Sequence, residues 1–366
     1  MDADAIFQLG IEALAQRNVQ HALDSFNRAE KAGAGADACA AQRWYCWMLL
    51  GDLERAWQES DAIAQRNSRV DNCFWDGQPF DGKRVIVRSL HGYGDAVQFI
   101  RFLPLLKQRA ARVIVETHPE LVSLIREQPY VDEVITWTDK SSVPAWDQQI
   151  EIMELPRAFR THLATIPHDV PYLRAPDHIV AWCGRRFERY TGLRVGIVWA
   201  ASDWNMERNI PVDTLAPLLT TPAVSFFSFQ HGAARDNLPL LQHIAPIADM
   251  APVCSEIVDT AAALRHMDLL ISVDTLAAHL GGALGRPVWT LLHSASDWRW
   301  MLDREDSPWY PTMRLFRQAG RGDWTGLIAR VAAELALLAY PLTRTTRTAP
   351  VPSSTVDTEA KSTTSL

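Results

Sequence analysis

The sequence is poor in the features that mark a metal centre, a membrane span or a nucleic-acid coat. Cysteine is scarce: five in 366 residues (Cys39, Cys46, Cys73, Cys183, Cys254), with no CxxC pair. Scattered thiols of this kind read as reduced, packed side chains and not as a disulfide framework or a zinc site. There is no HExxH, no convincing DxD, no GxxxxGKS/T phosphate loop and no GxSxG nucleophile turn. Basic residues are in deficit, 36 Lys+Arg against 43 Asp+Glu, a formal charge of −7. That argues against a protein that coats nucleic acid, which needs a dense cationic footprint. It leaves room for an acidic ligand held by one or two placed cations and backbone amides. No apolar run reaches the roughly 18 residues of a membrane span. The start, MDADAIFQLG, has neither a basic flank nor an apolar core, so a cytoplasmic protein is expected.

Proline is also missing from the first 70 residues, where Ala, Leu, Gln, Arg and Glu dominate and a helical reading follows. Ile6-x2-Leu9-Gly10-x2-Ala13 and then Ala22-x3-Phe26 come close to the tetratricopeptide pattern of a 34-residue helical hairpin. Gly10 would let two helices approach, with Ala22 at their crossing. Ala56, 34 residues after Ala22, hints at a second hairpin, although Trp44 stands where that unit would carry Gly. Two hairpins are few for a free solenoid, so residues 1–72 are expected to dock on the next domain or on another chain. A plain helical cap and a protein-binding module both fit.

From residue 76 the rhythm changes. RVIVRSL, ARVIVET and EVITW are buried-strand runs separated by helical patterns, the βαβ unit of an α/β domain. The proline-rich stretch IPHDVPYLRAP (166–176) reads as a connection. LRVGIVWA, VSFFSF, DLLISVD, RPVWTLL and MRLFRQ then repeat the alternation. This gives two α/β halves, 76–176 and 177–341. The Ser/Thr/Pro-rich tail 342–366 has too little apolar surface to offset ordering entropy and is expected to be disordered. The fourteen Trp read as core and lid packing, or more sharply as walls of a sugar or nucleobase cleft.

In open parallel sheets ligands sit beyond the carboxyl ends of the strands. Three loops fall there. In His91-Gly92-Tyr93-Gly94-Asp95 the glycines allow positive φ and close backbone approach. Asp95 is either a simple helix cap or a carboxylate able to take a proton from an attacking hydroxyl. In AASDWNMERNIP, Arg208 is either a solvated surface cation or a fork for diphosphate oxygens. In LISVDTLAAHLGGALGRP, Asp274 and Thr275 sit at a helix start whose amides would receive an anion. His279, one turn past Thr275, is either a core histidine or a pocket residue.

This last block, with GYGDAVQFIRFLPLL, resembles the bacterial heptosyltransferase-type enzymes of glycosyltransferase family 9, and more closely proteins that carry such a domain behind tetratricopeptide repeats. The family's G-x-G-D loop appears as Gly92 to Asp95, and its D-S/T-G-x-x-H-L-A-A-A-L-x-x-P block as Asp274 to Pro287. The resemblance spans about residues 83 to 340. It implies a GT-B fold: two Rossmann-like lobes across a cleft, acceptor on the N-terminal lobe and a nucleotide-diphospho-sugar on the C-terminal lobe, behind a small all-α tetratricopeptide-like domain. It casts Asp95 as general base. Arg208, Asp274, Thr275 and His279 are cast in the donor pocket, with Trp298, Arg299 and Trp309 in a loop suited to base or sugar contacts. Leu276 departs from the family by replacing a Gly, so a donor preference or affinity different from the family's is expected.

The reaction implied is metal-independent, inverting sugar transfer to a protein or saccharide. The nucleotide sugar is a co-substrate; no metal or other cofactor is implied. A non-catalytic scaffold or sugar-nucleotide-binding adaptor that recruits a protein partner through the helical repeats is the alternative. A sugar-nucleotide epimerase is a third reading without motif support.

Overall fold

The computed structural model describes residues 2–67, 74–138, 143–201 and 205–347, with backbone only for 342–347. Cys73, Trp204 and the tail from 348 onward lie outside the described residues.

Four helices open the chain: α1 (Ala3–Ala15), α2 (Val19–Lys31), α3 (Ala36–Leu50) and α4 (Leu53–Arg66). Each boundary has a local cause. Asp2 caps α1 by accepting from the Ala5 N–H at 2.7 Å. Gly51, at φ 75°, ends α3 in the left-handed conformation, and Asp52 then caps α4 from 3.1 Å. The expected close crossing is present: a Cβ on Gly10 would stand 2.5 Å from the Phe26 ring, and Ala22 is fully buried. Inside the bundle Arg43 pairs with Glu30 at 2.6 Å and Glu59 at 2.7 Å. The hairpins dock on the α/β part of the same chain. The Trp57 indole donates to the Thr161 carbonyl at 2.7 Å, and Asp61 pairs with Arg157 and Arg160.

The first half builds β1 (Arg84–Arg88), helix α5 (Tyr93–Phe99), β2 (Arg112–Thr117), β3 (Glu133–Thr136) and β4 (Gln148–Glu151). All pairings are parallel, in the order β3-β2-β1-β4. Strand β4 escapes a hydrophobicity reading because QQIE is mostly polar; pairing with β1 secures it.

The second half builds β5 (Leu193–Val198), β6 (Val224–Ser228), β7 (Ile247–Asp249), β8 (Leu269–Val273), β9 (Val288–Leu292) and β10 (Met313–Arg317). These too are parallel, in the order β10-β9-β8-β5-β6-β7. Counted from its own first strand this is 3-2-1-4-5-6, the doubly wound order of dinucleotide-binding sheets. The first sheet has the same winding cut to four strands. Winding therefore reverses at β1/β4 in one half and at β5/β8 in the other.

A single apolar cluster joins α1–α4, the first sheet and one face of the second; another fills the far face of the second sheet under the final helix. The connection 166–176 is part of this fabric: the Tyr172 N–H donates to the Ala283 carbonyl at 3.0 Å, and the buried Arg101 donates to the Tyr172 hydroxyl at 2.7 Å. The final helix, Trp324–Arg347, runs through the first six residues of the segment expected to be a disordered tail. The leucines and alanines before residue 341 carry that helix beyond the compositional boundary.

Candidate active site

Both reversal points open on one cleft of about 1900 Å³. Gly92, Gly94 and Asp95 line it from the first half; Arg208, Asp274, Thr275, His279 and Arg299 line it from the second. These are all residues that follow the carboxyl ends of strands β1, β5, β8 and β9.

Asp95 lies in the first turn of α5, where its Oδ2 accepts the Gly92 N–H at 3.0 Å. Its Oδ1 accepts from the Arg299 guanidinium at 2.5 Å, an ion pair between the two halves. The side chain keeps 23% of its surface exposed. A carboxylate offers about four lone-pair sites, so these two bonds leave it able to accept a proton.

The glycines act differently from expectation. Gly92 has φ −68°, and neither Gly92 nor Gly94 belongs to the positive-φ glycines. Gly94 is needed for proximity: a Cβ there would stand 2.9 Å from Cδ2 of His279. The two halves meet at this point.

Across the cleft, the helix Leu276–Ala283 begins after Thr275. The Thr275 side chain does not cap it; its hydroxyl lies 3.0 Å from Ser272 Oγ instead. The first turn therefore keeps its electropositive end toward the cleft. Leu276, at the first helical position, packs partly against the core. His279 is buried, with Nδ1 2.8 Å from the Tyr310 hydroxyl, Nε2 3.7 Å from Asp274 Oδ1, and its ring stacked on Trp300. It is neither bonded to backbone nor free in the pocket. Burial pushes the Asp274 carboxyl up, but His279 and the Arg208 cation outweigh it and hold the group down at about 2. Arg208 Nη1 donates to the Asp274 carbonyl at 3.0 Å and lies 4.0 Å from its Oδ2.

The segment after β9 departs from expectation. Trp298 is buried, edge-on to Trp44 at 5.5 Å and stacked with Phe99; it is not on the cleft wall. Trp309 is fully buried and donates to the Arg299 carbonyl at 3.0 Å. Arg299 reaches the cleft but is spoken for by Asp95 and, at 2.8 Å, by Asp297. Burial opposes its charge; Asp297 and Asp95 more than restore it, and its pKa is raised. Among the described residues no group of three or more His, Cys, Asp or Glu is arranged to hold a metal ion. The four described cysteines are free and buried.

Of the lining residues not singled out from sequence, three have identifiable roles. Gln230 clamps two loops, accepting from Trp199 N and Ala200 N and donating to the Ala200 carbonyl. His293 is buried, with Nδ1 3.6 Å from Glu207; burial pushes its pKa below the usual range. Tyr45 comes from α3. Gln230 and His293 follow strand runs closely, a position that marks cleft residues without any motif. Tyr45 carries no such signal.

Two parallel, doubly wound sheets with their carboxyl ends on a shared cleft define a GT-B-like architecture. Solved structures share it. A glycosyl transferase family 9 protein from Veillonella parvula superposes with TM-score 0.54 at 12% identity, covering 72% of this chain and 98% of that one. The ADP-heptose LPS heptosyltransferase II of E. coli superposes at 0.53, again with 12% identity, covering 71% and 99%. At such identity the likeness shows the fold. No protein-family profile matches the sequence. Protein FlbA of Caulobacter vibrioides is 26% identical over 319 residues, 79% of this chain and 53% of FlbA. The chain thus spans about half the length of that curated relative.

Proposed function

We propose that the protein is an inverting glycosyltransferase that moves a sugar from a nucleotide-diphospho-sugar to a protein or saccharide hydroxyl in the cytoplasm. The observation that carries this reading is the shared cleft: a partly exposed carboxylate, Asp95, on one wall, and an uncapped helix start with Arg208 on the other. In the reaction, the acceptor oxygen attacks the anomeric carbon as its proton passes to Asp95. The bond from that carbon to the phosphate oxygen breaks, and the nucleoside diphosphate departs with the electron pair. Its growing charge is met by the Arg208 fork and the amides after Thr275, donors already in place. We infer a metal-independent reaction because these groups supply the neutralising charge. Asp274 is buried and anionic, so we assign it to orienting His279 and Arg208 and not to direct contact with phosphate.

The alternative is an adaptor that binds the nucleotide sugar without turnover. The Asp95–Arg299 pair favours it, since the guanidinium occupies one oxygen of the carboxylate. The deciding experiment measures slow donor hydrolysis, water standing in for acceptor, with UDP-, GDP-, ADP- and dTDP-sugars and NMR of the released anomer. The enzyme reading expects inverted sugar from at least one donor, and a loss of about 10²–10⁴-fold in Asp95→Asn. Binding without release across the panel would establish the adaptor.

A further inference from the structure

The cleft is not built by the two α/β halves alone. The ion pair from Arg299 to Asp95 depends on where the turn Ser296–Leu302 sits, and the helical hairpins touch that turn along its length. At its start, the Ser296 carbonyl accepts from Arg17, between α1 and α2. In its middle, Trp298 meets Trp44 of α3 edge-on. At its end, the Leu302 N–H donates to the Leu49 carbonyl at 3.2 Å, and Met301, at φ 56°, lies close against Gly51. Trp298 is the platform for Arg299, whose guanidinium carbon stands 4.5 Å over its ring. The second half contributes too, Arg317 donating to Ser296 Oγ at 2.9 Å. Beside this turn, Tyr45 of α3 lines the cleft itself.

We propose that the N-terminal hairpins are a positioning element of the site: through Trp44, Trp298 and Arg299 they fix Asp95, and with Tyr45 they form part of the cleft wall. Their packing face is thus spent within the chain. A guanidinium held over an indole in a buried setting is delivered in one orientation, so a contact about three residues removed sets the geometry of the carboxylate. Trp44 and Arg17 are positioning residues; they touch no reacting atom. The proposal rests on the glycosyltransferase reading only in calling Asp95 a base.

Hydrogen exchange on the full chain tests it without any assay of activity. The Gly92 amide is bonded to Asp95 itself, so its exchange reports where that carboxylate is held. Trp44→Ala should speed exchange both in 296–302 and in 92–95, about fivefold at the Gly92 amide, the scale of one lost hydrogen bond. Trp44→Phe should restore most of the protection, and amides of β8 and β9 should not change. Arg299→Gln should release 92–95 with the hairpins intact. If Trp44→Ala unfolds α1–α4, Arg17→Ala is read on the same peptides. Faster exchange in 296–302 with 92–95 unchanged would overturn the proposal, as would unchanged 92–95 in Arg299→Gln. Donor hydrolysis by the wild type is a separate readout, so failure of the enzymatic reading would be seen independently.

Discussion

Asp95 and Asp274 each follow a strand at a winding reversal, the first strand of one sheet and the fourth of the other, yet their surroundings are opposite. Asp95 is partly exposed, held by one backbone N–H and by a cation from the other half. Asp274 is nearly enclosed, held by His279 and Arg208 of its own half. Topology placed both aspartates at the cleft; burial and partners separate their roles. In the proposed reaction the first takes the acceptor's proton. The second holds its charge and, in the proposed reaction, organises the residues that would face the diphosphate.

The largest expected effect breaks the symmetry. Asp95→Asn should cut donor turnover by about 10²–10⁴-fold while leaving nucleotide affinity within about twofold, the usual reach of a surface-like change. Asp274→Asn should do the reverse in kind, weakening affinity and stability together. Equal loss of kcat with unchanged KM in both variants would erase the distinction.

Next in size is acid stability. Asp274 titrates near 2 when folded against an ordinary 3.8. A depressed carboxylate stabilises the fold above its unfolded value and loses that contribution as pH falls from about 4 toward 2, worth about 2 kcal/mol. Urea melts of wild type and Asp274→Asn across that window should converge at the acid end. Parallel curves would show that Asp274 is not so held.

The smallest effect is the difference between the two glycines of the loop. Gly94→Ala puts a methyl against His279 and should cost about 1–3 kcal/mol through overpacking at the lobe contact. Gly92→Ala, whose Cβ would lie 3.4 Å from Asp95 Oδ2 at an ordinary φ, should cost under about 1 kcal/mol. Thermal midpoints of the two variants check the order.

Much of this was legible in the sequence. Strands such as LLISV are apolar throughout, as a sheet covered on both faces requires, and the positions of Asp95, Arg208 and the Asp274–His279 block follow from strand–loop–helix order. The short strands β4 and β7 were not legible, because pairing and not composition secures QQIE and IAD. Nor was the fate of Trp298 and Arg299. A Trp-Arg-Trp run reads as a ligand wall until the fold shows Trp44 and Phe99 on either side. The glycines were expected to allow positive φ and close backbone approach to a ligand; neither has positive φ, and Gly94 serves contact between the halves, a long-range fact.

The central claim is that the second lobe's reversal point receives a nucleoside diphosphate. Thermal denaturation of wild type and Arg208→Ala with UDP-, GDP-, ADP- and dTDP-sugars tests it most directly. At 100 times its dissociation constant a ligand adds about 2.7 kcal/mol, so one donor should raise the wild-type midpoint clearly and Arg208→Ala much less. No shift with any donor, or an equal shift in both proteins, would contradict the account.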